Sequence, residues 1–494
     1  MAVEPYRTVG CPPITAVGVT TADRPEPLGR CLSSLMRQLR DRSADIRIII
    51  VDGSKKPANE SLNRSLARSL SASSGRKIVF IGSRERRTFT KDLHAICPSE
   101  LVEFAVAPGA SGNRNLAVLL TSGENVLLVD DDVVCDLWRM RSFRKTVDVC
   151  GHVERRDIAF FKTRAGTRDG MVRADTNLLD AHEALLGRSL QSLCTGTSMR
   201  VETSRACRFL KEGLAGVRNV VVRKTFSGLV GDVGTGNPER LLFGTGVWKH
   251  LLESSRQVYG TAFKYREVRM VADRYLVTHD PGCRGFSMGL ANTAMVPPFL
   301  PTGRNEDGLF GLTLSAIDRT AVGGHIPYAV LHESTRPPSY GSYAFVSATQ
   351  TRVADLMIHL VNSWPSNKAT RPRQRLARLA AWLDELASFD EPEFARAIVG
   401  SIFNAREREL RLIEKALQPG SGYPDYWQRD LRRYRQILLA NLAKPEFFVP
   451  VEFSGARSVP HGYRRIREFV RMSSECLRVW PTLWKEARTR TKVG

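Results

Sequence analysis

Nine cysteines occur in 494 residues, and no two stand in a Cys-x-x-Cys spacing. They are Cys11, Cys31, Cys97, Cys135, Cys150, Cys194, Cys207, Cys283 and Cys476. An odd, scattered set argues against zinc fingers and a disulfide framework, and a reducing cytoplasm is the expected home. Long apolar runs are also missing: none reaches the ~18 residues of a membrane span. The start, Met1 to Arg7, lacks the basic-then-apolar order of a secretory leader. Acidic residues are in the minority, 51 against 73 basic, for a net charge of +22. That excess attracts phosphates, nucleic acid or anionic lipid, so peripheral contact with the inner face of a membrane stays open. No helix-turn-helix, RNA-recognition or zinc signature accompanies it, and nucleic acid is not the expected partner. What is present is 42% hydrophobic residues, which excludes a disordered chain and suffices for two or three compact units.

Up to about residue 130, short apolar runs alternate with amphipathic stretches. Ile14 to Thr20, Ile46 to Val51, Lys77 to Ile81 and Asn125 to Val129 read as buried strands. Between the first two, Leu28, Leu32, Leu35 and Leu39 recur on one helical face, with Pro25 in the first turn and Asp23 and Glu26 in capping-box spacing. Gly112 to Thr121 reads as a further helix, stopped at Gly123. Continuous apolar strands separated by helices imply a sheet covered on both faces, with ligands beyond the carboxyl ends of its strands. Asp52 and the run Asp130-Asp131-Asp132 fall at such ends. Residues 150–340 are mixed and glycine-rich. The stretch Gly231 to Pro238 is the loosest, a loop or a flap over a site, and lacks the Gly-Lys-Ser/Thr of a phosphate loop. After about residue 340, Leu376, Leu379, Leu383 and Leu386 step by three and four. Ile398, Ile402, Leu410 and Ile413 mark a second helix and Tyr434 to Leu442 a third. Residues 341–494 carry 26 basic and 16 acidic side chains. Arg464-Arg465-Ile466-Arg467 and Lys485 to Lys492 read as solvated helix face and frayed tail. Two units are expected: residues 1–340, and a helical unit over 341–494 that selects an acceptor, braces the first unit or oligomerises.

Three consecutive carboxylates after an apolar strand require explanation. In an extended segment Asp130 and Asp132 point one way and Asp131 the other. Like charges so close repel unless a cation or water intervenes, and an Asp-x-Asp at a strand end suits Mn2+ or Mg2+. A second acidic element, Glu306-Asp307, follows the run Pro297-Pro298 and Pro301 and precedes Leu309, Phe310, Leu312 and Leu314. It is expected at a helix N-terminus, where one carboxylate can serve as general base. His332, after the apolar stretch Tyr328 to Leu331, can complete a metal site begun by the carboxylates.

Taken in order, these segments resemble the GT-A glycosyltransferases, in particular the family 2 type, over roughly residues 12–340. Val19-Thr20-Thr21-Ala22-Asp23-Arg24-Pro25-Glu26 is similar to the family's first loop, and Ile48-Ile49-Ile50-Val51-Asp52-Gly53-Ser54 to its second-strand motif. Gly112-Asn113-Arg114-Asn115 resembles the Arg-Asn helix start and Leu127-Leu128-Val129-Asp130-Asp131-Asp132 the metal-binding Asp-x-Asp. Arg304-Asn305-Glu306-Asp307 with Phe310-Gly311 resembles the acidic acceptor-site motif, and His332 stands where many members place a last metal ligand.

The resemblance implies an α/β fold, with a mixed, mostly parallel sheet, helices on both faces and a helical C-terminal domain. It implies a metal-dependent, inverting transfer from a nucleotide sugar, usually a UDP-sugar, to an acceptor that the residues do not name. Thr20, Arg24, Asp52, Arg114, Asp130 and Asp131 would bind the donor. Asp132, Asp130 and His332 would hold the metal. Asp307 would be the base, with Glu306 close behind. Two departures bear on the donor: one Asp precedes Gly53-Ser54 where many members have two, and Lys55 and Lys56 follow. A sugar-phosphate nucleotidyltransferase shares such a sheet, but the Thr20 to Arg24 loop lacks its Gly-rich composition. A basic nucleic-acid-binding protein is the non-enzymatic alternative.

Overall fold

The computed structural model describes residues 12–42, 45–151, 156–195, 199–203, 205–341, 344–365 and 371–491. Cys11 and Lys492 lie outside them. Fourteen strands form one mixed sheet: β1 (Ile14–Thr21), β2 (Arg47–Asp52), β3 (Ile78–Ile81), β4 (Asn125–Asp130), β5 (Val133–Met140), β6 (Thr146–Cys150), β7 (Arg156–Phe161), β8 (Met171–Arg173), β9 (Arg200–Glu202), β10 (Val221–Asp232), β11 (Glu267–Ala272), β12 (Tyr275–Thr278), β13 (Ser287–Ala291) and β14 (Ala321–His332). The order is β3-β2-β1-β4-β13-β10-β14-β12-β6-β9, with β11 and β7 attached beyond β10 and β5 and β8 beyond β14. The first four strands are all parallel. The antiparallel β13 joins them to β10, which runs parallel to β14.

Alternation along the strands divides the core between two faces. Ala16, Ile49, Val51, Val126 and Leu128 turn to one side, and Val17, Val19, Ile48, Ile50, Leu127 and Val129 to the other. The second side is covered by helix α1 (Pro25–Gln38), which buries Leu28, Leu32 and Leu35 as its spacing requires, and by α2 (Pro57–Ser74). The first side is covered by α4 (Ser99–Val106) and α5 (Ala110–Leu120); α3 (Ser83–His94) lies between α2 and α4 in sequence. α5 begins directly beneath the end of α4. A Cβ on Gly112 would sit 1.8 Å from the Ala107 carbonyl, so only glycine fits there.

The capping box expected at α1 is not formed. Arg24 takes the N-cap position without a side-chain bond to the helix backbone, and Asp23 adopts a left-handed φ of 57°. Its carboxylate instead accepts the amides of Lys55 (3.1 Å) and Lys56 (3.0 Å), at the entry to α2. Those amide bonds hold its pKa below the usual carboxylate value. The turn between β2 and α2 thus supplies donors that Asp23's own helix would otherwise have offered.

The helices expected after residue 340 are Pro372–Ser388, Glu391–Leu417 and Asp425–Leu442. The Arg464 cluster and the tail belong instead to one helix of 33 residues, Val459–Thr491, about 50 Å long. It keeps one buried face through Ile466, Val470, Leu477, Trp480, Trp484 and Ala487 and continues past Pro481. A single hydrophobic cluster runs from Ala16 and Ile49 through α5 to Leu376, Ile398 and Trp480, with no break at residue 340. Trp480 donates to the Val296 carbonyl (2.6 Å) and Trp484 to Asn292 (2.8 Å), fixing the last helix to the loop that follows β13. Trp480→Ala is therefore expected to cost about 3–5 kcal/mol. Sheet and C-terminal helices should lose structure together, in one urea transition followed by far-UV and tryptophan signals.

A second seam joins the short helix Glu239–Leu242 to the C-terminal helices. Tyr434 donates to Glu239 (3.1 Å) and Glu409 (3.1 Å), and Arg406 reaches both carboxylates. Burial, then the neighbouring Glu409, raises the Glu239 carboxyl to about 7. A raised carboxyl contributes stability below its unfolded pKa and loses it as pH climbs through the folded value. The wild type should therefore lose stability between pH 5 and 8, by denaturant titration, more steeply than Glu239→Gln.

Candidate active site

Five strand ends meet at one edge of the sheet. β1 and β4 are parallel neighbours, so Thr20 and Asp130 pair in register. The antiparallel β13 begins beside them, where the Asp130 amide donates to the Phe286 carbonyl (3.0 Å). β10 and β14 end at Asp232 and His332 on the same edge. The helix Glu306–Ile317 starts over it, with Asn305 in a left-handed conformation (φ 67°) aiming Glu306 and Asp307 inward.

Arg114, in α5, is the link between sheet and helix. Its side chain is 6% exposed and pairs with Asp130 (2.7 Å) and with Glu306. Room for the guanidinium exists because position 285 is glycine: a Cβ there would meet the Arg114 Cζ at 2.8 Å. Asn115 beside it is structural. It donates to the Ala105 (2.6 Å) and Phe299 (2.8 Å) carbonyls and accepts from the Phe299 amide, pinning the proline-rich run to α5.

The aspartates do not alternate as expected, because the strand ends at Asp130 and the chain turns. Asp130 receives Thr20 (3.1 Å) and Arg114. Asp131 is buried, with one oxygen on Arg24 (2.7 Å) and the other on Thr21 (2.7 Å). Asp132 takes the second arm of Arg24 (2.8 Å) and faces Nε2 of His332 at 3.2 Å. Nδ1 of His332 meets the Asp232 carbonyl oxygen (2.7 Å), and Arg266 holds the Asp232 carboxylate with two bonds, 3.0 and 2.8 Å. Burial raises Asp131 to about 7 and also raises Asp130 and Glu306. For Asp132, burial is outweighed by His332 and Arg24, and its carboxyl lies well below the usual range. For His332, burial is outweighed by Asp132, and the imidazole is lifted to about 9.

The three aspartates, the Glu-Asp pair and the late histidine thus converge, with several of the expected site side chains already partnered within the chain. Asp131 has both oxygens engaged inside the chain. Asp52 is buried, with its carboxylate taken by the Ser54 amide (2.7 Å) and Asn63 (2.8 Å). Glu306 is buried and locked to Arg114, which leaves Asp307 as the more open carboxylate. Asp307 accepts the Gly285 (2.7 Å) and Gly308 (2.9 Å) amides.

The metal set Asp130, Asp132 and His332 is not assembled, because Asp130 turns to Arg114. Among the described residues no group of three or more His, Cys, Asp or Glu side chains could hold a metal. Asp132 and His332 remain as a pair. The Oδ1 of Asp132 and the Nε2 of His332 face each other as an ion pair at 3.2 Å, and loss of the imidazole proton leaves a carboxylate oxygen beside a neutral ring nitrogen, a donor set that suits a divalent cation.

Sequence reasoning overlooks Asp232, Arg266 and Arg336. Asp232 closes a strand that carries Lys224, Thr225 and Ser227 in its interior, which hides the apolar signal. The expected loop begins only at Val233 and is tied down: Arg266 donates to the Thr235 carbonyl (2.6 Å) and Arg304 to that of Gly234. Arg304 and Arg336 are exposed beside this loop, and Arg336 feels the field of Arg304, Arg266, Asp232 and Asp132.

No family model and no curated protein matches the chain. Among solved structures it is similar to the mannosyltransferase PcManGT from Pyrobaculum calidifontis in complex with GDP-Man and Mn2+. The identity is 12%, the TM-score 0.36, and the match covers 90% of this chain and 89% of that one. A likeness at that level assigns neither fold nor activity. No helix among the described residues is long and apolar enough to cross a membrane.

Removing Arg114 would leave Asp130 and Glu306 facing each other without a counter-charge. Arg114→Met is expected to cost about 3–5 kcal/mol by chemical denaturation. The added Glu306→Gln substitution should recover part of that loss.

Proposed function

We propose that the chain is a metal-dependent, inverting glycosyltransferase of the GT-A family 2 type, with a nucleoside-diphosphate sugar as donor. The observation that carries this reading is the convergence of Asp132–His332 and Arg114–Glu306–Asp307 at the carboxyl ends of parallel strands. The motif resemblance points to UDP-sugars as the first donors to try, and it leaves the acceptor open.

In this reading Thr20, Arg24 and Arg114 set the positions of the acidic side chains, and Asp130 faces the donor. Asp132 and His332 are the residues to hold Mn2+ or Mg2+. The cation, when bound, stabilises as a Lewis acid the charge that develops on the departing diphosphate. Arg304 and Arg336 add positive charge on the same side. Asp307 takes the proton of the acceptor hydroxyl while that oxygen bonds to the anomeric carbon. The bond from the anomeric carbon to the diphosphate oxygen breaks, and its electron pair leaves with the diphosphate. Attack opposite the leaving group inverts the anomeric centre. The C-terminal helices brace the catalytic edge from behind.

A donor-hydrolysis screen over UDP- and GDP-sugars, with Mn2+ and with chelator, tests the reading. Turnover of at least one donor should require the metal. Asp132→Ala should lower that turnover about 100-fold or more, some 2.7 kcal/mol, with an unchanged circular dichroism spectrum. Asp307→Asn should reduce transfer to an acceptor by ~10²–10⁴-fold while donor binding persists. Metal-independent rates in wild type and unchanged rates in Asp132→Ala would overturn the reading.

A further inference from the structure

Tyr434 stands between two acids from different parts of the fold. Glu239 opens the short helix Glu239–Leu242, and Glu409 lies in the helix Glu391–Leu417. The phenol oxygen is 3.1 Å from Oε1 of Glu239 and 3.1 Å from Oε2 of Glu409. A hydroxyl has one proton to give, so it cannot serve both acids at once. Glu409 has the arginine: Nη1 of Arg406 lies 2.8 and 2.9 Å from its two oxygens, against 3.5 Å from Glu239. The arrangement that satisfies every contact has Glu409 ionised and accepting from Tyr434, while Glu239 keeps a proton and donates it to the Tyr434 oxygen. Without that proton, two carboxylates face each other across one hydroxyl and share a single guanidinium.

The other charged groups nearby do not replace the proton. Asp355, in the helix Val353–Ser363, adds a further negative field. Burial lowers the His359 imidazole on the same helix, which lies in the field of Asp355, Arg408 and Arg406. Arg240, the next residue along from Glu239, is exposed. Burial and then Glu409 account for the Glu239 carboxyl standing near neutrality.

Glu239 is also the far anchor of the segment that leads away from the candidate site. Just after Asp232, a Cβ on Gly234 would lie 3.7 Å from Cε1 of His332, so the backbone there rests against the imidazole. The near half of the segment is tied by the Gly234 amide to Asp232 (2.6 Å), by Arg266 to the Thr235 carbonyl (2.6 Å) and by the Thr235 hydroxyl to Tyr340 (3.2 Å). A Cβ on Gly236 would lie 3.6 Å from an Arg352 Nη2, the cation beside the middle of the segment. The far half depends on the short helix. Asn237 accepts the Glu239 amide (3.2 Å), Trp427 donates to the Leu242 carbonyl (3.1 Å), and Leu241 and Leu242 are buried in one cluster with Trp427 and Tyr434.

We propose that the chain Glu239–Tyr434–Glu409 is a proton-dependent latch that holds residues 233–238 against the Asp132–His332 pair, closed while Glu239 carries its proton and released when the proton leaves. The inference goes beyond the glycosyltransferase reading and does not depend on it, since it concerns access to that pair whatever the pair binds. Its sign follows from the protonated acid being the donor: the latch is made at low pH and lost as pH rises through neutrality.

Hydrogen exchange on the full chain tests it, read by mass spectrometry over residues 233–242 at about pH 6 and about pH 8.5 and corrected for base catalysis. In wild type the corrected exchange of 233–238 and 239–242 should rise together, by about tenfold or more at the higher pH. Glu239→Gln, whose amide donates to Tyr434 without titrating, should stay slow at both pH values. Tyr434→Phe, which cuts the chain, should exchange fast at both; should that variant lose its circular dichroism spectrum, the comparison with Glu239→Gln decides alone. Asp131 and His332 titrate alike in wild type and Glu239→Gln, so their effect cancels in that comparison. An equal pH response in wild type and Glu239→Gln, or acceleration confined to 239–242 with 233–238 unchanged, would overturn the proposal.

Discussion

Charge compensation at a crowded acidic edge is the constraint on which the site depends. Asp130, Asp131, Asp132, Glu306 and Asp232 approach one another where water is largely excluded, and carboxylates in that setting tend to keep their protons. Each neighbouring cation straddles two partners: Arg114 joins Asp130 to Glu306, Arg24 joins Asp131 to Asp132, and His332 stands between Asp132 and the Asp232 carbonyl. The network therefore ties α1, α5, β4, β10, β14 and the helix Glu306–Ile317 to one another. Positions far apart in sequence are held by shared charges, and the loss of one cation exposes two acids to each other.

Much of this edge was legible in the residue pattern, because apolar runs followed by acids are a strong local signal. β1, β2, β4, α1, α5 and the helix carrying Glu306 and Asp307 fall where periodicity places them. The pattern could not say which acid faces which cation. Alternation along an extended chain predicts the directions of Asp130, Asp131 and Asp132 only if the strand continues, and it stops at Asp130. α3, with the sequence Ser-Arg-Glu-Arg-Arg-Thr-Phe-Thr-Lys-Asp-Leu-His, buries only Arg86, Thr90 and Leu93 and so has no apolar stripe to read. β10 is hidden for the opposite reason, since polar residues occupy its buried positions.

The expected division at residue 340 separates two kinds of secondary structure, and the packing runs through it. The hydrophobic cluster on one face of the sheet is completed by side chains from Leu356 to Ala487. Arg375 donates to the Ala316 carbonyl (2.8 Å) at the end of the helix that carries Asp307. The C-terminal helices thus pack against the helix that carries Glu306 and Asp307.

The long final helix has a consequence for how the chain is made. Its side chains at Trp480, Leu483, Trp484 and Ala487 close a core whose first members, Ala16 and Ile49, emerge from the ribosome more than four hundred residues earlier. During synthesis the nascent sheet must carry an unsealed apolar face until residues 480–487 have emerged. Holding that face away from other chains, by chaperones for example, becomes part of the protein's biogenesis.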